Sequence, residues 1–446
     1  MMLARFRLLA AVASFVFCID SANAAPGDEK INGGRDTSTT PATGTVCKPV
    51  PADYGLEMAK TWVAAHKASH PDWKYVYIAP EVVTNNETLN LHRVAVLKIW
   101  NSLSFTKTID LGEDASDGHC LVRALNPQAI WANAATENWG YISNATPKRN
   151  IAIAPAPVGS LKAFTADENA LVSSGRFVFN ASNGGPYANV MATPPDYKSF
   201  LQKYPLSPVV AASAHTEAIV CGPRMTGWRT VQVNGVSRYY AGTSDEFSGR
   251  SGAPAPYRDK APTENESPDF AHGSFIFPKG DTPRGLVSEW WMQLPNGMLY
   301  YGIHGEAGQE RGTTEKSFAV DPANWAQNGD LATGRSCFTC HVNGVQAAAS
   351  DYAGQNGWTS AEELRKLYDP VRTEFRAAMQ QIVAAVADRD VVLNDAIVNG
   401  VKEPISRAIA LIEGPFAGSN PGCETFCPDK NGKSKFGDLC SKLPLR

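Results

Sequence analysis

The chain has 446 residues, with 41 Lys and Arg against 44 Asp and Glu, and a net charge of −3. That near balance gives no basic surface of the kind that nucleic acid or an anionic membrane selects, so nucleic acid is set aside as a partner. Nine Cys and eight His are what make the chain chemically interesting.

The start reads as a secretory signal. Arg5 and Arg7 form a basic region, Leu8 to Ile19 an apolar core, and Ala22-Asn23-Ala24 a small-residue cleavage site. About a dozen apolar residues are too few to span a bilayer. Residues 1–24 are therefore expected to be removed after Ala24, leaving a periplasmic or secreted bacterial protein without a membrane span. Arg5, Arg7 and Asp20 leave with the signal, so the mature net charge becomes −4.

Residues 25–46 carry no apolar period and are expected to be a flexible leader. Residues 47–315 read as an α+β domain, a mixed α/β part with β-hairpins. Leu56, Ala59, Trp62 and Val63 recur at helical spacing between Asp53 and His66, and Tyr75 to Ile78 is a β-prone run. Leu91 to Ser104 predicts an amphipathic helix with Val94, Leu97, Trp100 and Ser104 on one face. Cys120 to Leu125 reads as a strand, and Asn126-Pro127 opens a helix to about Asn138. Arg176 to Phe179 is a strand candidate ahead of a break at Asn183-Gly184-Gly185-Pro186. Pro194-Pro195 precedes an aromatic segment, Tyr197 to Tyr204. Asn234-Gly235, between Trp228–Val233 and Val236–Tyr240, is the strongest hairpin signal in the chain. Residues 241–270 read as a long surface loop. A second hairpin joins Leu286–Leu294 to Met298–Ile303 through Pro295-Asn296-Gly297. Its Trp290, Trp291, Tyr300 and Tyr301 are suited to a wall against a flat cofactor or to core packing.

Residues 316–418 read as a mainly helical, cytochrome-c-like haem domain. They contain Cys337-Phe338-Thr339-Cys340-His341, the attachment pattern for one covalent haem c. Two thiols add across the haem vinyl groups, and the imidazole that follows becomes the proximal iron ligand. A zinc half-site would need a second ligand pair, and Cys423 and Cys427 have a different spacing. A redox dithiol would be expected in a βαβ setting. Ser360 to Glu363 is a capping box for a helix ending near Tyr368, and Pro370 is expected to interrupt it. Phe375, Ala378, Met379, Ile382, Val383 and Val386 mark a further amphipathic helix, and a short one spans about Ile405 to Ile412. Residues 419–446 form a Gly/Pro/Lys-rich tail. Cys47, Cys120, Cys221, Cys423, Cys427 and Cys440 remain for three disulfides, with the pairing open.

Function turns on the sixth iron position. A filled site moves electrons, and an open one binds small ligands. Candidate distal ligands are Met292, Met298, His304 and Met379. Met379 falls on the apolar stripe of its helix, which suits a core role better. His304, between Ile303 and Gly305-Glu306, reads as an exposed loop histidine. His272 is a weaker candidate of the same kind.

Several segments, in order, resemble a group of exported bacterial proteins with a cytochrome-c-like C-terminal part. They are Leu97 to Ser104, Leu121 to Trp131, Arg176 to Tyr197, Asn234 to Ser237, Leu294 to Tyr301, Gly334 to Val345, and the region around Leu367-Tyr368. The resemblance implies covalent haem at Cys337, Cys340 and His341, and it brings no reaction with it. The six other cysteines and the tail after Gly418 fall outside the shared pattern. The expectation is a periplasmic monohaem c-type cytochrome with a redox partner protein. The alternatives are a haem oxidoreductase taking a small-molecule ligand at an open iron, and a haem-based ligand sensor.

Overall fold

The structure is a computed structural model. It describes residues 46–79, 85–144, 171–208, 210–216, 223–244, 288–304, 331–341 and 359–386, with a few isolated residues between them. The signal, most of the leader, most of the expected 241–270 loop, His272, Glu306, Cys221, the 405–412 helix and the cysteine-bearing tail lie outside the described residues. So does the 315/316 boundary.

Helix and sheet are mixed throughout, an α+β chain. The first unit is a four-stranded sheet in the order β2-β3-β1-β4, from β1 (Lys74–Tyr77), β2 (Glu113–Asp114), β3 (Val122–Leu125) and β4 (Leu171–Ser173). β1 runs antiparallel to β3 and parallel to β4. Alternation along the strands splits the side chains between two cores. Tyr75, Tyr77, Val122 and Ala124 face α1 (Leu56–Lys67), where Ala59 and Val63 are buried. Val76, Leu125 and Val172 face the main core.

The main core is built around α2 (Asn86–Ser102). Its start is fixed by a reciprocal capping box between Asn85 and Thr88, five residues before the period of apolar residues predicts it. The predicted single apolar face is a correction, because residues 88–102 are buried on every side, His92, Arg93 and Lys98 included. Arg93 donates to the backbone oxygen of Val386, the last residue of the long helix α9 (Ala361–Val386), which places a cation at a helix C-terminus. Lys98 Nζ lies 5.9 Å from the centre of the Phe375 ring on α9.

After β3, Asn126 caps α3 (Pro127–Trp131) by accepting from the Gln128 N–H. A short 3-10 turn then leads to α4 (Ala135–Asn144). The strand expected at Arg176–Phe179 is instead α5 (Ser174–Ala181), since Ser173 Oγ accepts from the Arg176 N–H and starts a helix there. Short apolar runs do not tell a strand from a buried helix. The expected break at Asn183 is the entry to α6 (Gly184–Val190). Asp196 caps α7 (Tyr197–Lys203).

The second sheet has five antiparallel strands in the order β5-β6-β7-β8-β9, namely Ala211–Thr216, Pro223–Val233, Val236–Ser244, Ser288–Gln293 and Leu299–His304. Both predicted hairpins are present. Asn234 (φ 47°) and Gly235 (φ 74°) make the β6–β7 turn with two positive dihedrals, as a two-residue hairpin of this twist demands. Residues 241–244, expected in a loop, continue β7. Helix α9 runs unbroken through Pro370, contrary to the predicted interruption. Pro370 sits on the exposed side, while Leu364, Tyr368, Val371 and Phe375 anchor the buried stripe on either side of it. Residues from α2, both sheets and α9 share one continuous core. Among the described residues no helix is long and apolar enough to cross a membrane. Cys47 and Cys120 form a disulfide.

Candidate haem attachment site

The motif follows β11 (Leu331–Ala332), which pairs with β10 (Thr313–Thr314). Gly334, at φ 83°, turns the chain into α8 (Arg335–Cys340). A side chain there would meet the Ser182 oxygen at 2.7 Å and the Tyr187 ring at 3.2 Å, so this close approach requires glycine. Ser336 Oγ accepts from the Ala332 N–H at 2.9 Å and ties the helix back to its strand. Arg335 is fully buried, stacked 3.7 Å over Phe179 and donating to the Phe179 carbonyl.

His341 caps the end of the helix, its N–H donating to the Cys337 oxygen at 2.8 Å. Positions 337, 340 and 341 are thus i, i+3 and i+4 of one helical turn, and such positions share a face. Cys337 is half-buried. His341 is half-buried, with Nδ1 3.1 Å from the Gly344 oxygen. An imidazole that donates from Nδ1 to a backbone carbonyl is fixed in the tautomer whose Nε2 lone pair suits a metal. Gly344, at φ 82°, lies against Phe375 of α9, where a Cβ would come within 2.8 Å of the ring. These residues fit a covalently attached haem, which would be held by Cys337, Cys340 and His341.

Phe338, between the cysteines, points into the protein. Its ring meets Tyr301 edge-on at 5.2 Å and Tyr187 at 6.1 Å. The Tyr301 ring lies 5.5 Å from His341, and the Tyr301 N–H donates to the Tyr187 hydroxyl at 3.1 Å. Burial pushes the Tyr187 phenol well up, so it stays protonated. Of the predicted aromatic wall, Tyr301 reaches the motif. Trp290, Trp291 and Tyr300 are core side chains.

The four candidate distal ligands are all buried. In the β8–β9 register Trp291 faces Tyr301, while Met292 faces Tyr300 and Trp290 faces Gly302. Met292 and His304 therefore sit on the sheet face opposite Tyr301 and His341. Met298 is fully buried at the hairpin turn, its N–H bonded to Asn296. Met379 is buried one turn beyond Phe375, in the core as its stripe predicts. The exposed reading of His304 is a correction: it has no exposed surface, and burial pushes its pKa down to about 3. Tyr187 escapes sequence reading because it comes near the motif only through packing, and the role of Arg335, two residues before Cys337, depends on Phe179, which only the fold brings to it. Gly334 carries a visible signal, a glycine three residues before Cys337. Among the described residues no group of three or more His, Cys, Asp or Glu side chains is arranged to hold a bare metal ion.

Comparison of the chain with protein-family models, with curated proteins and with solved structures returns no match.

Proposed function

We propose that this chain is a periplasmic or secreted monohaem c-type cytochrome that passes electrons to a redox partner protein. Residues 316–418 would be its cytochrome-c-like part, and the preceding α+β part would shield or dock it. The single observation that carries the reading is the turn of α8, which sets positions 337, 340 and 341 on one face with His341 Nδ1 engaged by Gly344. When bound, haem supplies a one-electron iron couple whose potential follows its axial ligands and their surroundings. The chain's own part is to hold the His341 ring between Tyr301 and the Gly344 carbonyl. Phe338 anchors the helix, and α9 closes the Gly344 side through Phe375. The resemblance to exported proteins with a cytochrome-c-like C-terminal part agrees with this reading.

One observation favours a second reading, a haem oxidoreductase or ligand-binding protein with an open sixth position. Met292 and His304 occupy the far sheet face, and Met298 and Met379 are buried in the core.

The test is the visible spectrum of protein expressed with haem-maturation machinery, reduced with dithionite, before and after carbon monoxide. A low-spin spectrum indifferent to the gas is expected of the carrier, and a prompt shift selects the second reading. Absence of haem overturns both. Cys337→Ala with Cys340→Ala should leave apo-protein, whereas His341→Ala should keep covalent haem and lose the native ligand field.

A further inference from the structure

A surface constellation of a different kind lies where α1 meets the edge of the first sheet. His66 stands in the last turn of α1, and His70 follows one helical turn on, its N–H donating to the His66 oxygen at 3.2 Å. The two imidazoles lie side by side, 4.4 Å apart and 21° from parallel. The sheet register brings a carboxylate to them. Tyr75 on β1 and Glu113 on the edge strand β2 both pair with Ala124 of β3, so all three side chains leave on the face that α1 covers. Glu113 Oε2 thereby comes to rest 3.3 Å from His66 Nε2.

The hydrogen bonds around the rings decide where their protons sit. Ser69 Oγ donates to the His66 oxygen at 3.1 Å, so the His70 Nδ1–H donates to the lone pair of that hydroxyl at 3.0 Å. The Tyr75 hydroxyl has the His70 oxygen as its acceptor at 3.5 Å, and its own lone pair takes the His66 Nδ1–H at 3.3 Å. Burial pushes this phenol up to about 12, so it stays a neutral hydroxyl. Both rings therefore carry their free lone pairs on Nε2. At His66 that lone pair faces a carboxylate oxygen, and two acceptors 3.3 Å apart call for a cation between them.

The gap has the width a metal ion needs. Two bonds of about 2.1 Å that span 3.3 Å meet at about 105°, close to the tetrahedral angle that zinc adopts. The Glu113 side chain is 55% exposed and that of His66 14%, so an ion has a path from solvent to a sheltered nitrogen. Trp73 flanks the rings, 4.6 Å from His70 and 5.5 Å from His66. Among the described residues no three such side chains are set as a finished coordination sphere. Here two ligand atoms already face each other, and a turn of the His70 ring brings the third. Two imidazoles with one carboxylate suit a first-row transition ion, whereas magnesium and calcium take oxygen ligands.

We infer that His66, His70 and Glu113 bind a divalent transition ion of the zinc type, independently of any haem.

Calorimetric titration of the full chain with zinc chloride tests this, with magnesium chloride as the control. An equivalent of zinc is expected to bind, at least tenfold more weakly in His66→Gln and in Glu113→Gln, and magnesium is expected to give no saturable heat. No saturable zinc uptake would mean that a proton alone bridges the pair, and it overturns the inference. Undiminished uptake in the folded variants, or equal uptake of magnesium, does the same. If the variants do not fold, nitrogen-detected NMR of the wild-type imidazoles decides. Zinc must move the Nε2 resonances of both His66 and His70, and any other result overturns the assignment.

Discussion

His92 shows what a single buried residue asks of solution conditions. It has no exposed surface, its Nδ1 lies 3.3 Å from Ser174 Oγ, and burial pushes its pKa down to about 4. His304 is depressed further, to about 3. In the unfolded chain both titrate near 6.5. As pH falls through about 6.5 the unfolded chain takes up protons that the folded chain refuses, so stability present above that pH is lost on acidification. For His92 the loss approaches about 3 kcal/mol by pH 4. Thermal unfolding between pH 7 and 4.5 should show a falling Tm, with a flatter slope in His92→Gln combined with His304→Gln. An unchanged slope in the double variant would refute the assignment. Neither histidine announces itself in the sequence. His304 stands beside Gly305 and Glu306, local company that suggests a loop, and only the placing of α7 over β9 buries it.

At the scale of elements, the turn into α8 is the most demanding piece of backbone near the motif. Gly334→Ala would force a side chain into a positive φ and against the Ser182 carbonyl. A left-handed residue alone costs about 1–2 kcal/mol, and the contact adds to it. The expected result is a loss of about 2 kcal/mol or more in denaturant unfolding, with poorer haem incorporation. Wild-type stability with full incorporation would contradict the described geometry. Elements with their own local signal were legible: both hairpins from their Asn-Gly turns, α3 from Asn126-Pro127, and the Ser360 cap of α9. The misses share one cause. Arg176 to Phe179 is too short and apolar to show a period and so resembles a strand, and the cap that decides for helix α5 is one serine. Pro370 predicts a stop, but it and Lys366, whose carbonyl loses its donor, are exposed, and the packed stripe on both sides keeps the helix going. The proposed haem site is legible in the sequence where its chemistry would be contiguous, at Cys337, Cys340 and His341. It is illegible where tertiary packing supplies it, at Tyr187 and in the contact of Arg335 with Phe179.

Across the whole molecule, the Cys47–Cys120 bond closes a loop of 73 residues and pins the start of the described chain beside Arg93. Chain entropy assigns such a cross-link about 4 kcal/mol. Cys47→Ala with Cys120→Ala should lower Tm by several degrees. Dithiothreitol should do the same to the wild type, and on the proposed function it should release no haem, because thioether bonds are not reduced by thiols. If the reductant left Tm unmoved, the bond would be absent or without weight. The sequence supplied an even set of six cysteines and could not choose among pairings, because the choice depends on which loops meet in space. Arg93 carries a further consequence. It touches Cys47 near the start of the described chain, yet its acceptor at Val386 lies 293 residues further along. A growing chain would expose helix α2, with its apolar faces and two cations, for most of the time taken to make the protein. The core around α2 can close only once residue 386 has been synthesised, so the chain is suited to being held open by chaperones until then.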